Sequence, residues 1–272
     1  SVVYPEGHRN VVFAQRGVRT LPRLPISKRD NPEPARDTQM LYKYLRLFNG
    51  VCASHTSATN MGTDWRDSDP EVEPMVEIYQ GARQNYERPG APRCPTPEDS
   101  IGGWEPLGFV NLALKKGIRF SFESSSDHGS THISYALVYA ENNSREALLK
   151  AMRQRHTYAA TDNIIADYTC KSGGKTHMMG DAFSVAESPT LSIHLVGTAP
   201  FARVVLVKDD VEIQTWEPGK TDVNITWTDP APEAGKTSYY YFRGEQEKQP
   251  KESNGELVWA SPMWITYAPQ NQ

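Results

Sequence analysis

Ile118-Arg-Phe-Ser-Phe-Glu-Ser-Ser-Ser-Asp-His-Gly-Ser-Thr-His132 is the stretch on which the reading of the fold turns. Its first half alternates: Ile118, Phe120 and Phe122 are apolar and their neighbours polar, the period of a half-buried strand. Its second half, Ser124 to His132, is a loop of small residues with one acid and two imidazoles, and Tyr135 to Ala140 follows as another strand. The rim at the C-terminal ends of strands is where α/β folds hold ligands and metals. Asp127 offers a hard oxygen, and His128 or His132 a borderline nitrogen, the donor types a transition metal takes. The competing reading is a polar turn whose Asp and Ser side chains bond their own backbone.

Toward the N-terminus, Gly108 to Lys116 reads as a short helix stopped by Gly117, and Met75 to Tyr79 as a strand entering the long loop Gly81 to Pro106. Val51 to Ser54 resembles a buried strand ending at His55. From Ala35 to Phe48 the apolar residues Met40, Leu41, Tyr44, Leu45 and Phe48 share one helical face, with Gly50 as the stop. Arg19 to Pro34 is proline-rich and reads as a surface excursion. Val11 to Ala14 is a short strand behind the polar turn that holds His8. On the other side, Asn143-Ser-Arg-Glu146 has capping-box spacing, and Ala147, Leu148, Ala151 and Met152 continue a helix.

Strand and helix thus alternate from about Val51 to Ala160, which predicts an α/β fold with a parallel sheet or part of a barrel. Past about Asp162 only strands remain. Leu191, Ile193 and Leu195 alternate, as do Val205 and Val207 and, beyond an Asp209-Asp210 turn, Val211 and Ile213. Val223 to Trp227, Tyr239 to Arg243 and Leu257 to Tyr267 follow. Such spacing predicts an antiparallel β-sandwich, so the expected domains are 1–165 and 166–272.

Bulk properties narrow the function. At 272 residues, with 38% hydrophobic and 23% charged residues, the composition is that of a folded globular chain. No apolar run approaches the roughly 20 residues of a membrane helix. A net charge of −4 gives no electrostatic reason to bind nucleic acid. Cys52, Cys94 and Cys170 are far apart, form no metal-type pair and allow at most one disulfide. The chain begins at Ser1 without methionine or signal peptide, which reads as a processed or trimmed chain.

His55 ends one expected strand, Asp127 and His128 end another, and His8 precedes the first; adjacent strands would bring them to one rim. Against this stands an ordinary hydrogen-bonded role for each histidine. Glu77, inside a strand, needs a partner if buried and is either a site base or half of an edge ion pair. Arg83, Arg88, Arg93 and Lys115 are the cations available to an anionic group, unless they are simply solvated. For the four tryptophans Trp216, Trp227, Trp259 and Trp264 and for Tyr239-Tyr-Tyr-Phe242, core packing explains more than carbohydrate stacking.

Taken in order, several strings resemble a known family. Gly7-His-Arg-Asn-Val-Val-Phe13, Ser54-His-Thr56, Pro74-Met-Val-Glu-Ile-Tyr79 and Ser125-Ser-Asp-His128 look like the later motifs of the PHP (polymerase and histidinol phosphatase) superfamily. The branch they resemble is catalogued as domain of unknown function 3604. Arg155-His-Thr-Tyr-Ala-Ala-Thr161 is similar to the end of that domain. Ser238-Tyr-Tyr-Tyr-Phe-Arg243 and Leu257-Val-Trp-Ala-Ser-Pro-Met-Trp264 are similar to its β extension.

The resemblance implies the C-terminal part of a distorted (β/α)₇ barrel followed by a β-sandwich-like domain. It implies metal ligands at His8, His55, Asp127 and His128, although the family's Asp-x-His is here a direct Asp127-His128, which leaves His132 as an alternative. The family's opening His-x-His strand and its metal-binding glutamate have no counterpart here, so an upstream polypeptide segment is expected to complete the site. The expected activity is that of a metal-dependent phosphoesterase using Zn, Mn or Fe, acting on a small anionic substrate held by Arg83 and Arg9. The resemblance also implies a periplasmic or secreted location. The alternative is a non-catalytic binding or assembly module with a degenerate metal site.

Overall fold

In the computed structural model, residues 4–17, 37–250 and 254–269 are described. The stretch Arg19 to Pro34 lies outside them. Along the chain run β1 (Arg9–Phe13), α1 (Asp37–Leu47), β2 (Gly50–Ser54), β3 (Met75–Gln80), α2 (Val110–Lys115), β4 (Ser121–Ser125), β5 (Tyr135–Val138), α3 (Arg145–Arg153) and β6 (Thr157–Ala160). Strands alone follow. They are β7 (Ile165–Ser172), β8 (Lys175–Met178), β9 (Ala182–Val185), β10 (Thr190–Lys208), β11 (Val211–Trp216), β12 (Lys220–Thr228), β13 (Thr237–Gln246), β14 (Leu257–Ala260) and β15 (Met263–Tyr267).

Local chemistry sets the element ends. α1 is reversed by Asn49 in the left-handed region at φ 56°, a conformation asparagine tolerates. Gly50, the expected stop, is already the first residue of β2. The cap of α3 is Ser144, one residue beyond the expected Asn143: its side chain accepts from the Ala147 N–H at 3.2 Å. Ser144→Ala should therefore lower stability by about 1 kcal/mol, seen as a drop in Tm; an unchanged Tm would mean that solvent satisfies the same N–H equally well.

β2, β3 and β4 run parallel, with β1 antiparallel against β2. The other eleven strands form a second sheet along β5-β6-β14-β13-β10-β7-β8, with β11 and β12 also on β10, β15 on β13, and β9 on β15. Every pairing in it is antiparallel except β9 with β15. The sheet curls into a half-barrel. β4 is fastened to its edge by hydroxyl groups: Thr157 Oγ1 donates to Phe122 O at 2.9 Å, Ser124 Oγ to Tyr135 O at 2.8 Å, and Phe122 N to Ser261 Oγ at 2.7 Å.

This overturns the (β/α)₇ expectation. Among the described residues there are fifteen strands and three α-helices, and α2 alone carries the chain between parallel neighbours. α3 joins β5 to β6, which pair antiparallel. Alternation along the sequence records what lies between strands, whereas the barrel depends on which strands pair. The large sheet takes strands from both sides of residue 166, since β5 and β6 share it with β14.

The strands at the centre are buried on both faces. From β13, Tyr240 and Phe242 enter one core with Tyr168, Leu191 and Ile193. Tyr239 and Tyr241 enter the other with Val76, Phe109, Phe122 and Trp259. A strand covered on both sides reads as a continuous apolar run, which explains Tyr239-Tyr-Tyr-Phe242. β10 serves both layers by changing partners. Its first half pairs with β7 and β12 and its second with β11 and β13, with register shifts between Val196 and Arg203. Such irregularities let a strand bend from one layer into another.

Candidate functional site

The C-terminal ends of β2, β3 and β4 lie together, and antiparallel β1 brings its own beginning to the same rim. His55 follows β2 directly, and its N–H donates to His8 O at 3.1 Å. The two imidazoles stack with centroids 6.0 Å apart and planes 10° from parallel. His8 is held by its N–H on Met61 O at 2.7 Å. Gly7 before it has φ +80°, and a Cβ there would meet Gly62 O at 2.4 Å, so the close approach requires glycine.

Both strand exits turn sharply. Thr56 at φ 46° and Asp127 at φ 57° are left-handed non-glycine residues, a conformation that costs energy and recurs at functional sites. Glu77 of β3 ties the two exits together: Oε1 accepts from the Thr56 N–H at 3.2 Å and Oε2 from Ser125 Oγ at 2.5 Å. The His55 ring is fixed at both nitrogens, with the Gln80 amide 2.9 Å from Nε2 and Thr56 Oγ1 3.2 Å from Nδ1.

Burial and charge keep these imidazoles neutral. Burial lowers the His8 pKa, and Arg83 and Arg9 lower it further. Burial, then His8, with smaller contributions from Arg83 and His128, takes His55 down to about 4 against the opposing pull of Asp127. Neutral imidazole is the form that binds a metal or accepts a proton. The buried acids shift the other way. Burial raises Glu77 well above the ordinary carboxyl range, and the Glu123 charge adds to this. Burial pushes Glu123 up to about 7, although a hydrogen bond from Asn10 favours its charged form. Glu77 and Glu123 are direct register partners on adjacent parallel strands, so they share one face.

Of the residues singled out from sequence, His8 and His55 come together, and the Asp127 charge reaches His55. His128 Nε2 is 3.3 Å from Asp127 Oδ1, but its side chain is 89% exposed. His132 is exposed and pairs with Thr131 Oγ1 at 3.0 Å. Among the described residues no three His, Cys, Asp or Glu side chains stand in a metal-holding group. Two neutral imidazoles and a carboxylate fit a borderline metal by donor type, and are a partial set by number.

The arginines divide. Arg9 turns to the side of α1, where its Nε donates to Glu73 Oε1 at 2.9 Å; Tyr42 OH and Ser54 Oγ bond the same carboxylate. Its guanidinium is neutralised inside the fold. Arg88 pairs with Glu212 at 2.5 Å, Arg93 with Glu256 at 3.7 Å, and Lys115 with Asp210. Arg83 has no carboxylate at ion-pair distance among the described residues, and its charge acts on both imidazoles. It lines a cleft of about 670 Å³ with Tyr79, Gln84, Arg93, Asp99 and Glu256.

Sequence reasoning missed Gln80, Thr56 and Glu123. Gln80 was signalled by its place, since it ends β3 as His55 follows β2. Glu123 was signalled by a carboxylate between two buried phenylalanine positions and a serine run.

No family model matches the chain. No solved structure matches it. It is similar to an uncharacterized protein of Chlamydia trachomatis serovar D, with 30% identity over 244 residues, covering 78% of this chain and 37% of the relative. Uncharacterized proteins of Chlamydia muridarum and Chlamydia pneumoniae are 29% and 26% identical over the same shares. The chain thus spans 37% of the length of the curated relatives it matches. No helix among the described residues is long and apolar enough to cross a membrane.

Proposed function

We propose that this rim is part of the centre of a metal-dependent hydrolase of the phosphoester type, with His8, His55 and Asp127 as donors. One observation carries the reading: two imidazoles, stacked at 6.0 Å, meet at a rim of strand ends where the Asp127 charge acts on His55. The ordered motifs that resemble the PHP superfamily support the same assignment. The chemistry that Zn²⁺, Mn²⁺ or Fe supplies in such a site is polarisation of a substrate oxygen and a lowered pKa for its bound water.

The chain's own part is orientation. Thr56 at Nδ1 orients the His55 ring as a partner behind a ligand does, and the Gln80 amide at Nε2 would have to give way to a metal there. Glu77 holds the exits of β2 and β4 at a set separation, and Arg83 supplies a cation for the substrate's anionic group. The donors still needed are assigned to His128 and to a polypeptide segment outside this sequence.

The test is uptake of Zn²⁺ and Mn²⁺ by the purified chain, followed by equilibrium dialysis and calorimetry. Wild type should bind, and His55→Ala and Asp127→Ala should weaken binding by roughly 100-fold with the circular dichroism of the sheets intact. His132→Ala should change little. Uptake by wild type that is indifferent to both alanine variants would leave the non-catalytic binding module in its place.

A further inference from the structure

We propose that the cleft beside the rim binds a small polyhydroxylic molecule carrying a single phosphate, with the phosphate on Arg83. The inference rests on the phosphoester reading above for its orientation, phosphate toward the imidazoles, and on the cleft itself for the ligand class.

Arg83 is a built feature. Its Nη1 donates to Ile101 O at 2.7 Å, which fixes the guanidinium against the backbone of the 81–106 loop. Gly102 makes this possible: it has φ +99°, and a Cβ there would lie 2.1 Å from Arg83 Nη1. A guanidinium carries five N–H donors in a planar fork, so donors remain beyond the one given to Ile101. With no carboxylate at ion-pair distance among the described residues, the charge that meets an anion here is uncompensated. The planar fork of a half-buried, preorganised arginine of this kind meets two oxygens of a tetrahedral phosphate at once.

The far side of the cleft has the opposite character. Arg93 is already engaged, donating from Nη1 to Tyr79 OH at 3.2 Å and standing 3.7 Å from Glu256 Oε2. Asp99 adds a second, exposed carboxylate to the lining. An anionic group placed there would face Glu256 and Asp99, so a second phosphate is disfavoured. Paired charges and carboxylates instead match hydroxyl groups, which both donate and accept. Apolar ligands are poorly served, because Tyr79 is buried in a stack on Trp259 at 5.6 Å. A volume of about 670 Å³ accommodates a sugar phosphate with some of its water.

The probe is ribose 5-phosphate, titrated calorimetrically into the chelator-treated 272-residue chain, with ribose and inorganic phosphate as separate arms. Because no metal is present and no turnover is read, the outcome is independent of the metal-uptake experiment. Ribose 5-phosphate should bind at least about tenfold more tightly than inorganic phosphate, and ribose more weakly than either. Arg83→Gln should weaken both phosphate-bearing probes by about tenfold or more. Gly102→Ala should do the same by displacing the guanidinium. Asp99→Asn should weaken ribose 5-phosphate and leave inorganic phosphate unchanged. Ribose 5-phosphate binding no tighter than inorganic phosphate, or tight binding that survives Arg83→Gln in a folded variant, would overturn the proposal.

Discussion

Replacing Glu87 with alanine is expected to cost the fold roughly 3–5 kcal/mol, the range for breaking a buried ion pair from one side. Glu87 is 1% exposed and lies in the loop after β3, yet the partners of its carboxylate are all in the large sheet. Its carboxylate accepts from Arg243 Nη1 at 2.7 and 2.9 Å, Tyr241 OH at 2.9 Å and Trp259 Nε1 at 2.8 Å. Alanine would orphan a phenol and an indole donor inside a core, each at about 1–3 kcal/mol. Arg243 would keep Glu212 and Glu245, both at 3.1 Å, which places the loss toward the lower end of the range. Glu87→Gln should cost less, because it retains an acceptor for one of the neutral donors. Urea unfolding of the three proteins measures this directly. If Glu87→Ala lies within about 1 kcal/mol of wild type, this network does not fasten the two sheets to each other.

The same residues show what a one-dimensional reading reaches. The apolar positions of β2 and β3, the Asp209-Asp210 turn and the strand spacing after residue 190 were legible because each rests on local periodicity or turn chemistry. Both aspartates of that turn are left-handed, at φ 49° and 69°. The meeting of His8 with His55 was legible as a possibility, since both flank strand ends. That β1 runs antiparallel, placing its first residue at the exit of β2, was not. Tyr239-Tyr-Tyr-Phe242 announced a strand buried on both faces without saying what covers each. The barrel expectation failed at this step, because β6 pairs with β14 across nearly a hundred residues of sequence, and no local signal encodes that partner. Arg9 and Arg83 were equivalent as letters. Only the fold distinguishes a guanidinium clamped by Glu73 from one lying on Gly102 with its charge open.

Replacing Glu123 with glutamine is expected to remove a fall in stability with pH that the wild-type chain should display. The carboxyl is 7% exposed and its pKa is raised from 4.5 to about 7, chiefly by burial. The fold therefore favours the protonated form. Below about pH 4.5 both folded and unfolded chains carry the proton, and this contribution is fully present. Between there and about pH 7 the unfolded chain releases the proton while the folded chain retains it, so stability declines as pH rises. Above about pH 7 both are ionised and the loss is complete, at roughly 3 kcal/mol for this group. Glu77 is shifted upward beside it, so the wild-type slope contains both acids. Glutamine is neutral at every pH and keeps an acceptor toward Asn10. Glu123→Gln should thus match wild type at pH 4.5 and exceed it by up to roughly 3 kcal/mol at pH 8. Glu77 should also ionise more readily once the neighbouring charge is gone. Denaturant unfolding of both proteins at pH 4.5, 6 and 8 gives the difference free of the other carboxylates they share. Two parallel curves across that window would mean that Glu123 ionises in the fold as easily as in water, and that the acid pair beneath the rim holds no proton.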